Sequence, residues 1–575
     1  MNMKSTAKFL LAAVCSLCLA TVAMAGDIQE AASRALDGVD SDDAKAVKLV
    51  ETARLAGTGD EVAVGLLRLA IDYAMKSADS GAGLQAGIDA LDSLGRKSPD
   101  QAVYCRSKLD QLCQGAYRRA KPQDQAGVAA DVMKRIEASG DASAADWRWP
   151  DAQCRYTIAM RMAGLSGHTQ VPLDHKCRMA NYFVTAFRKL APMKAARDKG
   201  VESAGGRLAV FYLTALNDPA RAALLLAPDS SEALRTYVPL ASKNADELQP
   251  EALNQLCDWY SKSLATKAED FGREMLLRKA IDYAEKARSK RSGKSDPDRI
   301  TPLEEQLARY SYVNRMLARS RSLDLLAMTD IDRDASKGKW QFADNAFVTK
   351  DVDYGSLKMP VNVEGSYQLS LQLAKTKSAK DIYVSFPVGD RQIRLHLEEH
   401  KPWPFGAWGG RKAAGRKAGG RDGRVGRLVD RFARKRGIDP NAIWLRAELS
   451  GLGRDEGSRG DREINPQYDK RTWVPYSIDI AVKVDGGKAA VGVTVGAVHK
   501  LKWSGQISSL AEEDVESTPI TVRFAKAGLA VRSVRLSPRG GTVGYAFADC
   551  PGPVPPAPAA DEADRLGEAA TQPSL

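Results

Sequence analysis

The segment Lys401–Arg436 holds the densest group of side chains in this sequence that could recognise a ligand. It contains twelve Lys and Arg residues against two acids, Asp422 and Asp430, so its formal charge is +10. Clustered guanidinium groups pair with sulfate, phosphate or carboxylate through parallel hydrogen bonds. Two Trp residues near its start offer flat faces on which sugar rings can stack. The pattern predicts an anion-binding segment. Its candidate ligand-binding residues are Trp403, Trp408, Arg411, Lys412, Arg416, Lys417, Arg421 and Arg424.

This segment accounts for the basic character of the whole chain. The chain carries a formal net charge of +12, and removal of Lys4 and Lys8 with a leader would leave +10. Two other interpretations of the segment stay open. One is a solvated insertion without a specific ligand, because runs of like charge repel one another. The other is internal pairing with Glu512–Asp514 or with Asp455–Glu456.

Motifs for hydrolytic or phosphoryl-transfer chemistry are missing from the sequence. It contains no G-x-S-x-G, no H-E-x-x-H and no P-loop. A glycosidase needs two carboxylates that face each other across a cleft. Glu398 and Glu399 are adjacent in a predicted strand and would point to opposite faces. We therefore assign no catalytic residue and no cofactor.

The His and Cys residues do not have the spacing of a metal site. The donors considered are Cys154, His168, His175 and Cys177, and they lack the close pairs of a zinc motif. Six cysteines lie beyond the leader, which permits disulfides in an exported chain. Since six cysteines allow 15 connectivities, no pairing is assigned. Buried free thiols are the alternative. The six are Cys105, Cys113, Cys154, Cys177, Cys257 and Cys550.

Residues 1–25 have the pattern of a secretory signal peptide. A basic start is followed by the apolar run Phe9–Val22 and the small-residue site Ala23–Ala25. We therefore expect export to the periplasm or the exterior, and no nucleic-acid partner. No other apolar run approaches the ~20 residues of a transmembrane helix, so no such helix is expected.

The stretch from about residue 41 to residue 322 has helical periodicity. Ser41 is placed to cap one helix, with a stop at Gly57, and a second helix starts near Asp60. A third helix has Leu84, Ile88 and Leu91 on one face. Thr301–Glu304 has the form of a capping box and predicts a helix through Leu325.

An internal echo links two distant parts of this helical stretch. Leu66–Ala74 reads LLRLAIDYA and Leu276–Ala284 reads LLRKAIDYA. Small Ala alternating with large apolar residues suits close helix pairs, which favours a degenerate α-solenoid. A chance match between two amphipathic helices is the alternative.

The pattern changes to strands near residue 330. Tyr476–Val484 alternates with period two, and Asp485–Lys488 supplies hairpin-turn chemistry. The alternation resumes at Val491 and continues through Trp503, with a bulge expected at Gly496–Ala497. Ile520–Phe524 and Ala530–Leu536 predict two more strands. Many short strands with Gly-rich turns predict an antiparallel sandwich.

Both halves resemble known families. The strand segments include DIYVSFPVGDRQIRLHLE, WVPYSIDIAVKVDGGKAAVGVTVGAVHKLKWSG and TPITVRFAKAGLAVRSVRLSP. Their order resembles the laminin-G-like, concanavalin-type jelly rolls of exported bacterial proteins. The helical half, with LCDWYSKSLATKA before MLLRKAIDYAEKA, resembles TPR-like regions that accompany this jelly roll. The resemblance implies sugar binding, protein binding or association with a carbohydrate-active enzyme, and it supplies no catalytic residue.

Together these features predict a multidomain α + β protein. The expected parts are a signal peptide (1–25), an α-helical repeat domain (26–322), a laminin-G-like β-sandwich (323–549) with the basic insertion 401–436, and a disordered Pro/Ala-rich tail (550–575). We expect a non-enzymatic binding or assembly protein that binds an anionic glycan or cell-surface component, with a protein partner on the helical repeats. A carbohydrate-active enzyme and a purely structural envelope protein are the alternatives.

Overall fold

The computed structural model describes most of the chain in two compact units. The described residues are 26–55, 60–77, 81–201, 204–227, 230–291, 298–349, 354–375, 381–400, 444–450, 464–466, 476–496, 499–510, 520–525 and 528–547. The predicted signal peptide, the insertion 401–436 and the tail 550–575 lie outside these ranges, so these three assignments stay predictions.

The first unit is helical. In chain order the helices of the protein are α1 (26–36), α2 (Asp42–Arg54), α3 (Asp60–Lys76), α4 (Gly81–Lys97), α5 (Ala102–Arg119), α6 (Gln125–Ala145), α7 (Trp149–Ser166), α8 (Val171–Asp198), α9 (Ala204–Ala215), α10 (Pro219–Leu224), α11 (Glu232–Ala241), α12 (Pro250–Asp258), α13 (Asp270–Lys290), α14 (Ile300–Ala308), α15 (Tyr312–Ser320), α16 (Leu325–Met328) and α17 (Ile331–Asp334). Trp259–Leu264 adds a π-helical turn after α12. Within the described ranges, no helix combines the length and the apolar character needed to cross a bilayer.

Local signals located the first helices of this unit. Ser41 caps α2, since its hydroxyl accepts a hydrogen bond from the backbone N–H of Ala44 at 3.2 Å. The start of α3 at Asp60 is confirmed. In α4 the predicted apolar face is buried, with Leu84, Ile88 and Leu91 at most 3 % exposed. The predicted stop at Gly57 lies outside the described residues.

The two copies of the internal echo lie in α3 and α13 and bury equivalent positions. Leu66, Leu67, Ala70 and Ala74 are buried in α3, and their counterparts are buried in α13. The copies differ at the Ile and Tyr positions: Ile71 is buried in α3, whereas Tyr283 is buried in α13. The shared string thus encodes one helical packing face.

The helix predicted from Thr301 through Leu325 is wrong in its cap and in its length. Asp298 precedes α14 and accepts hydrogen bonds from the backbone N–H groups of Ile300 and Thr301. The helix stops at Ala308, and Ser311 caps a separate helix, α15. Because Asp298 already occupies the capping role, Thr301 lies inside the helix rather than before it.

The second unit is built from antiparallel strands. They are β1 (Leu323–Asp324), β2 (Ala335–Lys337), β3 (Trp340–Ala343), β4 (Ala346–Thr349), β5 (Tyr354–Lys358), β6 (Val361–Glu364), β7 (Tyr367–Lys375), β8 (Asp381–Val388), β9 (Arg391–His400), β10 (Trp444–Ser450), β11 (Ile464–Pro466), β12 (Tyr476–Asp485), β13 (Lys488–Val495), β14 (His499–Gln506), β15 (Thr521–Ala525), β16 (Leu529–Pro538) and β17 (Thr542–Tyr545).

Two sheets enclose one apolar core. The first has the order β14-β13-β12-β7-β16-β4-β3, with β1 also paired to β16, and the second has the order β11-β10-β9-β8-β15-β5-β2. Ile480 and Val493 from the first sheet lie in the same buried cluster as Val384 and Phe524 from the second. The predicted multidomain α + β fold with an antiparallel sandwich is confirmed.

The long period-two stretch around residues 476–503 forms three strands. The β12–β13 hairpin turns at Gly486–Gly487, as its sequence predicts, and Gly486 adopts a positive φ of 51°. The predicted bulge at Gly496–Ala497 is wrong. Gly496, with φ of 61°, begins a second reversal that leads into β14, and Val495 pairs with His499. The left-handed glycine turns the chain there.

The division between the units falls between Leu307 and Ala308, whereas the sequence placed it at 322/323. Tyr312 and Val313 of α15 belong to the sandwich core, which explains why the second unit begins before residue 323. Gly167–Pro172, which lie within the helical part of the sequence, are also grouped with the sandwich. There the backbone N–H of Ile331 donates to the Gly167 carbonyl at 3.1 Å.

Candidate functional site

The structure describes the two strands that flank the predicted anion-binding segment. The chain leaves β9 at His400 and re-enters at Trp444, and these two residues pair across neighbouring antiparallel strands. The candidate residues themselves lie outside the described part of the chain, so their role stays a prediction. They are Trp403, Trp408, Arg411, Lys412, Arg416, Lys417, Arg421 and Arg424. The alternative internal partners, Glu512–Asp514 and Asp455–Glu456, also lie outside it.

A groove of about 700 Å³ lies on the face of the first sheet that points away from the core. Its floor follows two cross-strand rows. Gln368 pairs with Ala481, which pairs with Gly492 and then Lys502. In the next row Lys483 pairs with Ala490 and then Ser504. Small residues at the centre and long polar residues at the ends therefore create the depression.

Gly492 marks open space at the centre of the groove. A Cβ atom placed on Gly492 would meet no heavy atom within 4 Å, and the backbone there does not have a positive φ. A larger side chain at this position would enter the groove without backbone strain. Position 492 therefore allows the groove to be filled without removing any charge.

Ser366 and Arg539 close one end of the groove. The Ser366 hydroxyl accepts from the Val484 backbone N–H at 2.9 Å and lies 3.3 Å from the carbonyl oxygen of the same residue. The backbone N–H of Arg539 donates to the Ser366 carbonyl at 2.7 Å. Its guanidinium donates to Gln368 Oε1 at 3.1 Å, which holds the cation at the groove rim.

The outward rows of this sheet are strongly cationic. Over residues 366–372, 477–483, 490–494, 500–504 and 533–539 they carry five cations and one acid, so the formal surplus is four. The cations are Lys483, Lys500, Lys502, Arg535 and Arg539. The acid, Asp479, accepts a hydrogen bond from the Ser370 hydroxyl at 2.6 Å. Within the described chain, none of the five cations pairs with a carboxylate, so their field is available to an anionic ligand.

Sequence reasoning missed this groove, although a signal for it exists. Alternation in β12 and β13 identified the buried Ile and Val residues. The intervening positions, which include Ala481, Lys483, Ala490 and Gly492, point outward for the same reason. The unusual pairing of small residues with Lys was the available sign.

The charged clusters of the helical unit are held by ion pairs among its helices. Glu274 has a side chain only 3 % exposed, and it accepts from Arg278 at 2.9 Å and from Arg178 at 3.2 Å. Trp147, Trp149, Trp259 and Tyr260 are buried, so they serve packing within the helical unit. Over the described residues, no cluster of three or more His, Cys, Asp and Glu is arranged to hold a metal.

The five described cysteines are free thiols. Burial raises the pKa of Cys105 to about 11 and that of Cys177 to about 12. Burial also raises the pKa values of Cys113, Cys154 and Cys257 above the ordinary value of 9.0. Since the thiolate is the nucleophile, these cysteines are poorly suited to nucleophilic chemistry.

Alkylation should distinguish folded from unfolded chain at these thiols. We expect iodoacetamide at pH 8 to label Cys105 and Cys177 slowly in the folded protein and rapidly in urea, as measured by peptide mass mapping. Rapid labelling of either thiol in the folded protein would contradict this assignment.

The raised thiol pKa values also predict a pH dependence of stability. The folded unit binds more protons than the unfolded chain between about pH 9 and pH 11, so its stability should fall as pH rises through that window.

No family model matches the chain. A search of curated proteins found no match either.

Proposed function

We propose that this protein is an exported, non-enzymatic binding protein whose sandwich holds an anionic glycan or a similar polyanion. The observation that carries the proposal is the groove of about 700 Å³, with exposed Lys483, Lys502 and Arg539 around a floor of small residues. Cations at the ends of an open floor suit a chain-like ligand that presents several negative charges.

A polymer fits these contacts better than a single small anion. An exposed ion pair contributes only about 0–1 kcal/mol, so one such contact gives little affinity. A polymer that engages several cations at once gains from the high effective concentration of its later charges. In this proposal the segment Lys401–Arg436 adds a second basic contact for the same ligand.

Each of the two units also has a proposed family. We infer a laminin-G-like jelly roll from the order of its strand segments together with the two-sheet core. We infer TPR-like repeats from the echo in α3 and α13 together with the helical first unit. The helical unit would then act as the scaffold for a protein partner.

Neutralising the groove tests the proposal. We expect the triple variant Lys483→Gln, Lys502→Gln, Arg539→Gln to bind dextran sulfate about tenfold more weakly or worse at 0.15 M salt, because three ion pairs are lost. Wild-type affinity should fall steeply with added salt, since the contacts are exposed. Titration calorimetry with dextran sulfate, and with neutral dextran as a blank, measures both effects.

Two controls separate the groove from general charge. The variant Arg119→Gln, Lys121→Gln, Lys267→Gln removes the same three charges from exposed positions of the helical unit and should bind normally. Gly492→Leu keeps every charge but fills the groove, and should weaken binding. Deletion of Gly409–Arg436 measures the contribution of the basic segment. If the groove variants and this deletion all bind dextran sulfate as tightly as the wild type, the proposal is overturned and a structural role remains.

A further inference from the structure

The outward face of the second sheet carries a row of polar side chains that crosses four strands. Arg394 of β9 pairs with Ser385 of β8, Ser385 pairs with Thr521 of β15, and Thr521 pairs with Lys358 of β5. We call these four residues the oxyanion row. Their strand neighbours, such as Val384 and Val522, point into the core, so the row points away from it.

Two hydroxyl groups at the centre of the oxyanion row are buried without a partner. Ser385 and Thr521 are each 1 % exposed. Among the described residues, neither Ser385 Oγ nor Thr521 Oγ1 has a hydrogen-bond partner. Buried hydroxyls are nearly always hydrogen-bonded, because leaving one unpaired costs stability. Two such hydroxyls side by side on neighbouring strands indicate a missing common partner.

The charges around these hydroxyls specify the kind of partner. Arg394 and Lys358 stand at the two ends of the oxyanion row, and Arg523 lies two residues from Thr521 on the same face of β15. All three cations are half-buried. They also contact other groups of the chain, so the unpaired hydroxyls define the position of a ligand and the cations supply its field.

The next row supports the position of Arg394. The Arg394 guanidinium lies 6.0 Å from the ring centre of Tyr383, and the Tyr383 ring stacks on His396 at 4.5 Å. His396 Nε2 lies 2.9 Å from Asp381 Oδ1, which orients the imidazole. The stack of Tyr383 on His396 thus lies beside the oxyanion row.

We propose that the oxyanion row binds a tetrahedral oxyanion, either free phosphate or sulfate or the same group as an ester on a larger molecule. The Ser385 and Thr521 hydroxyls donate to two of its oxygens, while Arg394, Arg523 and Lys358 balance its charge. Arg forks and hydroxyl donors are the groups that recognise such anions. The site lies on a different sheet from the groove and does not depend on the proposed polyanion function.

Calorimetric titration of the full chain tests the site with sodium phosphate, sodium sulfate and glucose 6-phosphate at constant ionic strength. We expect saturable binding of at least one of these. The variant Ser385→Ala, Thr521→Val keeps the packing volume and should bind about tenfold more weakly or worse, because two hydrogen bonds to a charged group are lost. Tighter binding of the ester than of the free ions would identify a larger ligand.

Melting curves give a second readout that folding defects cannot imitate. In chloride buffer the double variant should melt at or above the wild-type temperature, because it removes two unpaired buried hydroxyls. In phosphate or sulfate the wild type should gain more stability than the double variant, because both gain from the general exclusion of these ions and only the wild type gains from the site. Ser263→Ala, Thr185→Val at exposed positions of the helical unit is the matched control, and Arg523→Gln is the second test variant. The absence of saturable binding by wild type, or equal binding by the double variant, would overturn the proposal.

Discussion

Replacing Asp92 by alanine is expected to lower the free energy of unfolding of the helical unit by about 3 kcal/mol, because it strands buried guanidinium groups. Asp92 Oδ1 accepts from Arg155 at 2.7 Å and from Arg148 at 2.9 Å, and Oδ2 accepts from Arg96 at 3.2 Å. The side chain of Arg155 is only 5 % exposed. The Asp92 carboxylate on α4 therefore pairs with Arg155 of α7 and with Arg148, which lies just before α7.

The loss of stability should be large because few other hydrogen-bond acceptors remain for the two guanidinium groups. Without Asp92, Arg155 keeps the Ser139 hydroxyl at 2.9 Å, and Arg148 keeps Asp151 at 3.0 Å. Burial by itself would lower the pKa of Arg148, but Asp92, Asp151 and Asp146 together raise it. The acidic neighbours thus offset the cost of burying the Arg148 charge.

Native-state hydrogen exchange in α4 and α7 measures this loss. Asp60→Ala is the matched control, since Asp60 also pairs with one cation, Lys97 at 2.7 Å, but its side chain is 88 % exposed. We expect little change for Asp60→Ala, because solvent screens an exposed pair. Equal effects of the two variants would show that burial does not govern the Asp92 cluster.

A double-mutant cycle between Phe524 and Gly355 is expected to show strong coupling in the sandwich. The two residues pair directly across β15 and β5. A Cβ atom on Gly355 would lie 2.1 Å from Phe524 Cζ, and Phe524 is fully buried with Trp340 edge-on at 5.7 Å. Gly355→Ala should therefore cost about 1–3 kcal/mol through overpacking. Phe524→Ala should cost about 3–5 kcal/mol through the cavity it leaves.

Because the two positions are coupled, Phe524→Ala should reverse the effect of Gly355→Ala on stability. In the Phe524→Ala background the ring that blocks Cβ is absent, so Gly355→Ala should be neutral or stabilising. Urea unfolding followed at the sandwich tryptophans measures all four corners. Gly492→Ala is the matched control, because its Cβ meets nothing within 4 Å. Additive costs would contradict the packing described for this pair.

The Phe524–Gly355 pair supports function indirectly, because it lies in the sandwich that carries both proposed sites. The oxyanion row uses Thr521 on β15, three residues before Phe524, so the packing of Phe524 also positions that hydroxyl. Variants of Phe524 should therefore be read for stability before they are read for binding.

Much of the candidate groove could be predicted from local sequence patterns. Alternation places Lys483 and Lys502 on the outward faces of their strands, and the Gly486–Gly487 turn brings β12 against β13. The contribution of Arg539 to the groove could not be predicted in this way. It follows β16, which pairs with β7 across more than 150 residues of sequence, and no local period encodes that neighbour.

The sequence by itself determined the order of a helical part and a strand part, the cap at Ser41 and the β12–β13 hairpin. These features depend on residues that are close in sequence, where periodicity and turn chemistry act. Only the tertiary structure decided that Arg394, Ser385, Thr521 and Lys358 form one row. Lateral strand order is selected by the packing of the whole core, so residues that share a site across strands need share no local signal.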